Sequence, residues 1–267
     1  MNAAAALSAA RLEAREARLL LAEACGVSIA SVLAYPEREL TPAQTARYDA
    51  SVRRRRAGEP IAYILGRREF YGLWLTVSPK VLIPRPETEL LVDLALGLRP
   101  QSVLDLGTGS GALALAIKHG LPAARVVAVD ASPAALALAR RNAAEHGLAI
   151  DFRVGEWFAP VADERFDLVV ANPPYIAEGD PHLLEGDVRF EPRGALVSGA
   201  DGLDAIRDIV AQAAAHLRPG GWLLLEHGLG QDARVREWLQ QRGFAGVTSW
   251  PDLAGIARVS GGRVKSE

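Results

Sequence analysis

The chain has one cysteine and one methionine in 267 residues, and aromatic residues make up only 6% of it. A lone Cys25 excludes an internal disulfide framework and a multi-cysteine metal site. It follows Leu21-Ala22-Glu23-Ala24 and precedes Gly26, the place of a small buried residue near a helix end rather than of a catalytic thiol. Charge of one sign is also missing. Thirty Lys and Arg stand against 32 Asp and Glu, so the formal net charge is −2 and no global field draws the protein onto nucleic acid, although a local patch would still serve. His119, His146, His182, His216 and His227 show no metal-ligand spacing, which leaves solvated or capping roles. No uncharged apolar run approaches the roughly 20 residues of a membrane span. The first ten residues lack a cationic lead-in, and Arg11, Glu13, Arg15, Glu16 and Arg18 interrupt the next stretch, so no secretory signal is read. These absences predict a soluble, cytoplasmic protein, and 49% hydrophobic residues are enough for a sizeable core. The length fits one large α/β domain plus a small one.

Residues 2 to about 57 read as helical. Ala, Leu, Arg and Glu predict one helix over 3–25, with Gly26 to end it. Thr41-Pro42 is a helix start and Gly58 the matching stop. Arg53-Arg54-Arg55-Arg56 closes that helix, where cations complement its dipole; a solvated helix end and a contact with an acidic or nucleic-acid-bound partner are both open for this run. From Gly66 to Val77, aromatic and β-prone residues around Gly72 predict a short hairpin. Pro79, Pro84 and Pro86 then punctuate the chain before a helix starting near Glu87.

Beyond residue 100, strand and helix patterns alternate. Strands are expected at Ser102–Leu106, Arg125–Asp130, Ile150–Val154, Phe166–Ala171 and Trp222–Glu226, with further strands near Val247 and Ile256–Val259. Helices are expected at Gly111–His119, Pro133–His146, Leu203–Leu217 and Asp232–Gln241. Repeated βα units imply a mostly parallel sheet covered on both faces, with ligands beyond the carboxyl ends of its strands.

Two signatures fall at such ends. The first is Asp105-Leu106-Gly107-Thr108-Gly109-Ser110-Gly111. Its glycines let the backbone turn sharply and approach a ligand, and the apolar helix after it turns the loop amides toward a carboxylate or phosphate. Asp130 ends the next strand about 20 residues on, where an acid usually holds ribose hydroxyls. Gly107-x-Gly109-x-x-Ala112 also fits a dinucleotide fingerprint. Asp105 favours S-adenosylmethionine instead, because a carboxylate there suits an ammonium or sulfonium cation and repels a pyrophosphate; a plain strand-end cap is its structural alternative. After the third strand, Gly155-Glu156-Trp157-Phe158 offers an aromatic cover and a polar reader for adenine, or two core aromatics.

The second signature is Asn172-Pro173-Pro174-Tyr175. An amide nitrogen is a poor nucleophile because its lone pair is delocalised, so methylating it is mainly a matter of orientation. The Asn172 side-chain oxygen and the Pro173 carbonyl, held extended by consecutive prolines, can each accept one N–H of a planar NH2 group. The same acceptors favour the positive charge that builds on the nitrogen. Tyr175 offers a face to a flat group. No strong base is required, since the alkylated nitrogen becomes acidic and can release its proton to water. Together the two signatures point to methyl transfer from S-adenosylmethionine to an amide or exocyclic amino nitrogen.

Asn172–Tyr175 occurs both in amino-group DNA and RNA methyltransferases and in the HemK/PrmC protein-(glutamine-N5) methyltransferases, and several other segments resemble the latter. Val81-Leu82-Ile83-Pro84-Arg85-Pro86-Glu87-Thr88-Glu89 resembles the interdomain signature, and Asp105 to Ala116 the cofactor loop. Glu191-Pro192, Ala195-Leu196 and Asp201-Gly202-Leu203 resemble the segment after the clamp, and Gly221 to Gln231, with Glu226-His227-Gly228, the fifth strand. The resemblance covers about 60 to 267; the first 57 residues match in character more than in letters. It implies a Rossmann-like class I methyltransferase domain over 84–267, a small helical substrate-recognition domain over 1–65 and a β-hairpin linker over 66–83. It implies cofactor contacts from Asp105, Gly107, Thr108, Gly109, Ser110, Gly111, Asp130, Glu156, Trp157 and Asn172, with S-adenosylhomocysteine as product. Glu156 departs from the family, which more often has Asp there. Asn172, Pro173, Pro174 and Tyr175 would hold the glutamine of the Gly-Gly-Gln motif of bacterial class 1 peptide chain release factors. Neither membrane nor nucleic-acid contact is expected, and a monomer is. The other readings are an amino-group DNA or RNA methyltransferase and a non-catalytic binding module on the same fold.

Overall fold

A computed structural model of the chain describes residues 1–266, which form two compact units: Met1–Arg67 with His182–Phe190, and Arg68–Pro181 with Glu191 onward. The first unit is helical, with α1 (Ala3–Ala10), α2 (Ala14–Cys25), α3 (Ile29–Ala34), α4 (Pro42–Arg56) and α5 (Ile61–Leu65). The single helix expected over 3–25 is two. Arg11 turns left-handed at φ 47°, and the Glu13 carboxylate then accepts the amides of Arg15 and Glu16 at 2.8 and 3.1 Å, starting α2 afresh. Thr41 and Gln44 form a reciprocal capping box on α4, with Pro42 in its first turn. Leu20, Leu21, Tyr48 and Val52 make the core of this unit.

The arginine run is largely internal to this unit. Arg54 pairs with Glu59 at 2.5 Å, and Arg55 reaches Glu16 at 2.8 Å and Asp187 at 2.9 Å. Arg56 donates to the carbonyls of Ala9 and Ala10, capping the end of α1. Of the four, Arg53 alone has neither an ion pair nor a side-chain hydrogen bond among the described residues. Cys25 is half-buried, and burial pushes its thiol above the ordinary range, the opposite of nucleophile activation.

The second unit begins at Arg68, within the hairpin of β1 (Arg67–Phe70) and β2 (Leu73–Thr76), turned by Tyr71 and Gly72, both at positive φ. A 3₁₀ turn over Pro86–Thr88 leads into α6 (Glu89–Leu98). Then come β3 (Ser102–Leu106), α7 (Ala112–Gly120), β4 (Arg125–Asp130), α8 (Pro133–Glu145), β5 (Asp151–Val154) and β6 (Phe166–Ala171). A stretch of short 3₁₀ turns leads to α9 (Asp204–Ala213), β7 (Leu217–Glu226), α10 (Asp232–Gln241), β8 (Ala245–Pro251) and β9 (Ala257–Arg263). The helix expected over 203–217 is shorter, because its last turn tightens to 3₁₀ and Leu217 already pairs with Phe166 as the start of β7.

The seven strands run in the order β5-β4-β3-β6-β7-β9-β8. The first five are parallel; β9 inserts antiparallel between β7 and β8. Two buried layers flank the sheet, one around Leu91, Ile117 and Leu168, the other around Leu104, Val169 and Ile209. From β3 and β6 the strand order runs outward in opposite directions, so a crevice opens between their ends. Register aligns those ends: Leu106 sits beside Val129 and Ala171, and Ala171 beside Leu225. The glycine loop, Asp130, Asn172 and Glu226 therefore leave the sheet along one edge.

Candidate active site

A cavity of about 450 Å³ lies on that edge, walled by Gly107, Gly109, Asp130, Glu156, Trp157 and Asn172, with Pro174 and Lys80 beside them. The two signatures thus face one space, as their positions at strand ends predict. Gly107, Gly109 and Gly111 adopt φ of 73°, 56° and 86°, the left-handed turn that glycine reaches without strain. The loop is held from behind. The amides of Gly107 and Thr108 donate to the Val129 carbonyl, that of Gly109 to Asp130 at 2.8 Å, and that of Gly111 to the Thr108 carbonyl. These four amides serve the loop itself, so the expectation that they face an anion is corrected. A side chain no sequence signal marks, the fully buried Asn142 of α8, donates to the Ser110 carbonyl at 2.8 Å and also bonds both backbone groups of Thr76.

Asp130 ends β4 on the cavity wall, its Oδ2 receiving Gly109 and its Oδ1 the amide of Ser132. Asp105 is elsewhere: fully buried at the end of β3, beneath the loop rather than on the cavity wall. Its Oδ2 accepts from the Thr108 hydroxyl at 2.6 Å and its Oδ1 has no hydrogen-bond partner among the described residues. Burial pushes this carboxyl up to about 7, against the pull of Thr108. Its visible work is to brace the loop, the cap role that sequence left as the alternative. Thr108, Ser110 and Gly111 likewise lie in the loop but not on the cavity wall. The Trp157–Phe158 pair divides. Trp157 is held at φ 44° on the cavity wall, a strained backbone for a bulky residue, whereas Phe158 is core, stacked on His216 at 4.5 Å.

At the end of β6, the Asn172 Nδ2 donates to the Thr88 hydroxyl at 3.1 Å, which leaves Oδ1 for other donors. Tyr175 turns inward. Its hydroxyl lies 3.4 Å from Glu226, burial raises its pKa, and its carbonyl accepts from the Gln231 amide at 3.0 Å. Gly202 stands at φ 78° where a Cβ would overlap that carbonyl, so the turn after the clamp fits only glycine. Pro173 and Tyr175 do not line the cavity; Pro174 does. Below the clamp, Arg85 pairs with the buried Glu191 at 2.5 Å, and Glu191 also accepts the Ile83 amide. Thr88 and Glu226 lie in segments quoted for the resemblance, yet no residue-level signal marked them. Lys80 had none either.

A glycine loop on the first parallel strand, an acid on the second, and a parallel sheet ending in an antiparallel pair define a class I S-adenosylmethionine-dependent methyltransferase. Residues 86–185 match the methyltransferase small domain and residues 1–66 the PrmC N-terminal domain. The chain is 53% identical to the release factor glutamine methyltransferase of Burkholderia pseudomallei, covering 98% of this chain and 96% of that one. It is 50% identical to the protein of that name from Xylella fastidiosa, covering 95% and 94%. A solved methyltransferase from Pyrococcus furiosus shares the fold with a TM-score of 0.58 at 21% identity, covering 83% of this chain and all of that one. The chain belongs to the release factor glutamine methyltransferase family. The fold class and family expected from the sequence are borne out.

Proposed function

We propose that this protein methylates the side-chain N5 of the glutamine in the Gly-Gly-Gln motif of class 1 peptide chain release factors. The observation that carries this reading is the placement of Asn172, amide nitrogen already committed to Thr88, on the wall of the cavity that also holds Gly107, Asp130 and Trp157.

The residues fit S-adenosylmethionine. The loop glycines leave open backbone, Asp130 presents a carboxylate to ribose hydroxyls, and Glu156 and Trp157 border the place for a flat base. When bound, the cofactor supplies a methyl group carried on a positively charged sulfur. Asn172 Oδ1 accepts one N–H of the substrate amide and, with Pro174 beside it on the cavity wall rather than the expected Pro173 carbonyl, fixes its plane. The chain's task is then orientation and charge stabilisation rather than base catalysis. With the amide held there, its nitrogen would take up that methyl group and its surplus proton would leave to solvent, with no residue of the chain needed as a base.

No helix among the described residues is long and apolar enough to cross a membrane. We place the reaction in the cytoplasm, where release factors act, with a monomeric enzyme over domains 1–65 and 84–267 joined by the hairpin linker. The test is transfer of label from S-adenosylmethionine to a release factor, duplex DNA or ribosomal RNA. Label on the release factor, lost when its Gly-Gly-Gln glutamine is replaced, supports the reading; label on nucleic acid alone overturns it.

A further inference from the structure

We propose that Gln231 is a positioning residue for methyl transfer: its side-chain amide holds the Tyr175 backbone and so fixes Asn172 at the other end of the proline pair. This rests on the clamp role given to Asn172 above. Gln231 is the last residue of the turn between β7 and α10. Its Oε1 accepts from the Gly228 amide at 2.8 Å, and its Nε2 donates to the Tyr175 carbonyl at 3.0 Å. A backbone N–H can only donate and a carbonyl can only accept. One orientation of the side chain therefore satisfies both groups, and the flipped one satisfies neither. The Gln231 amide is a strut of fixed polarity between the end of β7 and the clamp.

Both ends of the strut are held. On the sheet side, the Gly228 carbonyl accepts the Gln231 amide at 3.3 Å and meets Nδ1 of the fully buried His227 at 3.1 Å. A carbonyl cannot donate, so that Nδ1 carries a proton, and the other ring nitrogen meets Ser260 on β9 at 2.8 Å. A Cβ on Gly228 would come within 3.1 Å of Gln231 Oε1 and 3.3 Å of the Tyr175 ring, so the turn lies directly against the clamp. On the other side, Gly202 stands against the same Tyr175 carbonyl, where a Cβ would overlap it. Between Tyr175 and Asn172 lie only two prolines, whose φ angles are locked and which confine the residue before each to an extended path. With few soft dihedrals, the segment is fixed by β6 at its start and by Gln231 and Gly202 at its end. Methylation of a delocalised amide nitrogen depends on orientation, so a slight swing of this rod costs turnover before it costs binding. The cofactor walls at Gly107, Asp130 and Trp157 follow other strands and do not touch the strut.

The experiment compares N172A, Q231A, Q231E and the Q231A/N172A double variant in full-length protein with a release factor and labelled S-adenosylmethionine. Folding is checked by circular dichroism and cofactor affinity by calorimetry. Expected for Q231A is a loss of about tenfold in kcat, the scale of one hydrogen bond, with KM and cofactor affinity near wild type. The double variant is no slower than N172A alone. Q231E gives a readout that general loosening of the turn would not. Its carboxylate still accepts from Gly228 but sets a second acceptor against the Tyr175 carbonyl; once protonated, it donates there again. The ratio of Q231E to wild-type kcat should therefore climb by about tenfold between about pH 8 and about pH 5.5. His227, Glu226, Asp232, Arg236 and Arg258 surround the turn in both proteins, so the ratio isolates position 231. Wild-type kcat in a folded Q231A beside an impaired N172A overturns the strut while leaving the clamp intact. Full activity in N172A sinks the clamp reading and the strut with it. Should Q231A fail to fold, the Q231E ratio decides, and a ratio flat with pH removes the proposal in any case.

Discussion

The Asp130 Oδ2 accepts the Gly109 amide at 2.8 Å, so the acid that ends the second strand of the sheet holds the loop that extends from the first. Its Oδ1 is bound by Ser132, which starts the next helix. One carboxylate therefore shapes two walls of the cavity before any ligand arrives. Asp130→Ala removes both bonds and the ribose acceptor together. Cofactor affinity measured by calorimetry should fall by about tenfold or more, on the scale of charge-assisted hydrogen bonds. An unchanged dissociation constant would dismiss the assignment.

Asn172→Ala deletes an acceptor that acts on the substrate amide. Turnover should drop by about 10²-fold, by analogy with lost transition-state donors, while cofactor affinity stays near wild type. Single-turnover kinetics with saturating cofactor separate the two effects.

Gly202→Ala tests the support of the clamp from outside it. The new Cβ would overlap the Tyr175 carbonyl at a backbone angle that alanine adopts with strain. A cost of about 1–3 kcal/mol in urea unfolding is expected, with slower turnover and retained cofactor binding. Normal turnover would mean that the Tyr175 backbone is free to shift without consequence.

Arg55→Gln should destabilise the helical unit by about 1–3 kcal/mol, because it breaks two ion pairs and strands the partly buried Glu16. Arg53→Gln, which touches no ion-pair partner among the described residues, should leave urea stability unchanged. Equal effects from the two would contradict the division of the run into internal and free cations.

Asp105 gives a pH signature. Its folded-state pKa of about 7 lies above the roughly 4 of an unfolded carboxyl, so the folded chain binds the proton more tightly between those values. Stability from this group is full at low pH and is lost as pH rises from about 4 to 7. Asp105→Asn should match wild type in melting temperature near pH 4 and exceed it near pH 8. A difference that does not grow with pH would show that burial does not raise this carboxyl above its unfolded value.

The features legible in the sequence are those written in a few adjacent letters. Gly107-x-Gly109-x-Gly111 and Asn172-Pro173-Pro174-Tyr175 announce themselves because chain geometry and chemistry coincide in one loop each, and strand periodicity placed both on the correct edge. The break at Arg11 was hidden, because an alanine-rich run says nothing about a single left-handed residue and the Glu13 cap looks like any helix-favouring acid. The insertion of β9 between β7 and β8 is a pairing choice between distant segments. Burial is equally non-local. Asp105 read as a ligand-facing carboxylate because nothing in its neighbours says that the loop closes over it. Thr88, Asn142 and Glu226 gain their importance only from partners far along the chain.

Residues His182–Phe190 leave the sheet-bearing unit soon after the clamp, join the helices and return. The polypeptide thus crosses from one body to the other three times, and Asp187, which pairs with Arg55, belongs to a stretch encoded more than a hundred codons beyond its companions. A fragment cut after Arg67 would be missing a piece of its own scaffold, and a single nick at that point would not set the helices loose.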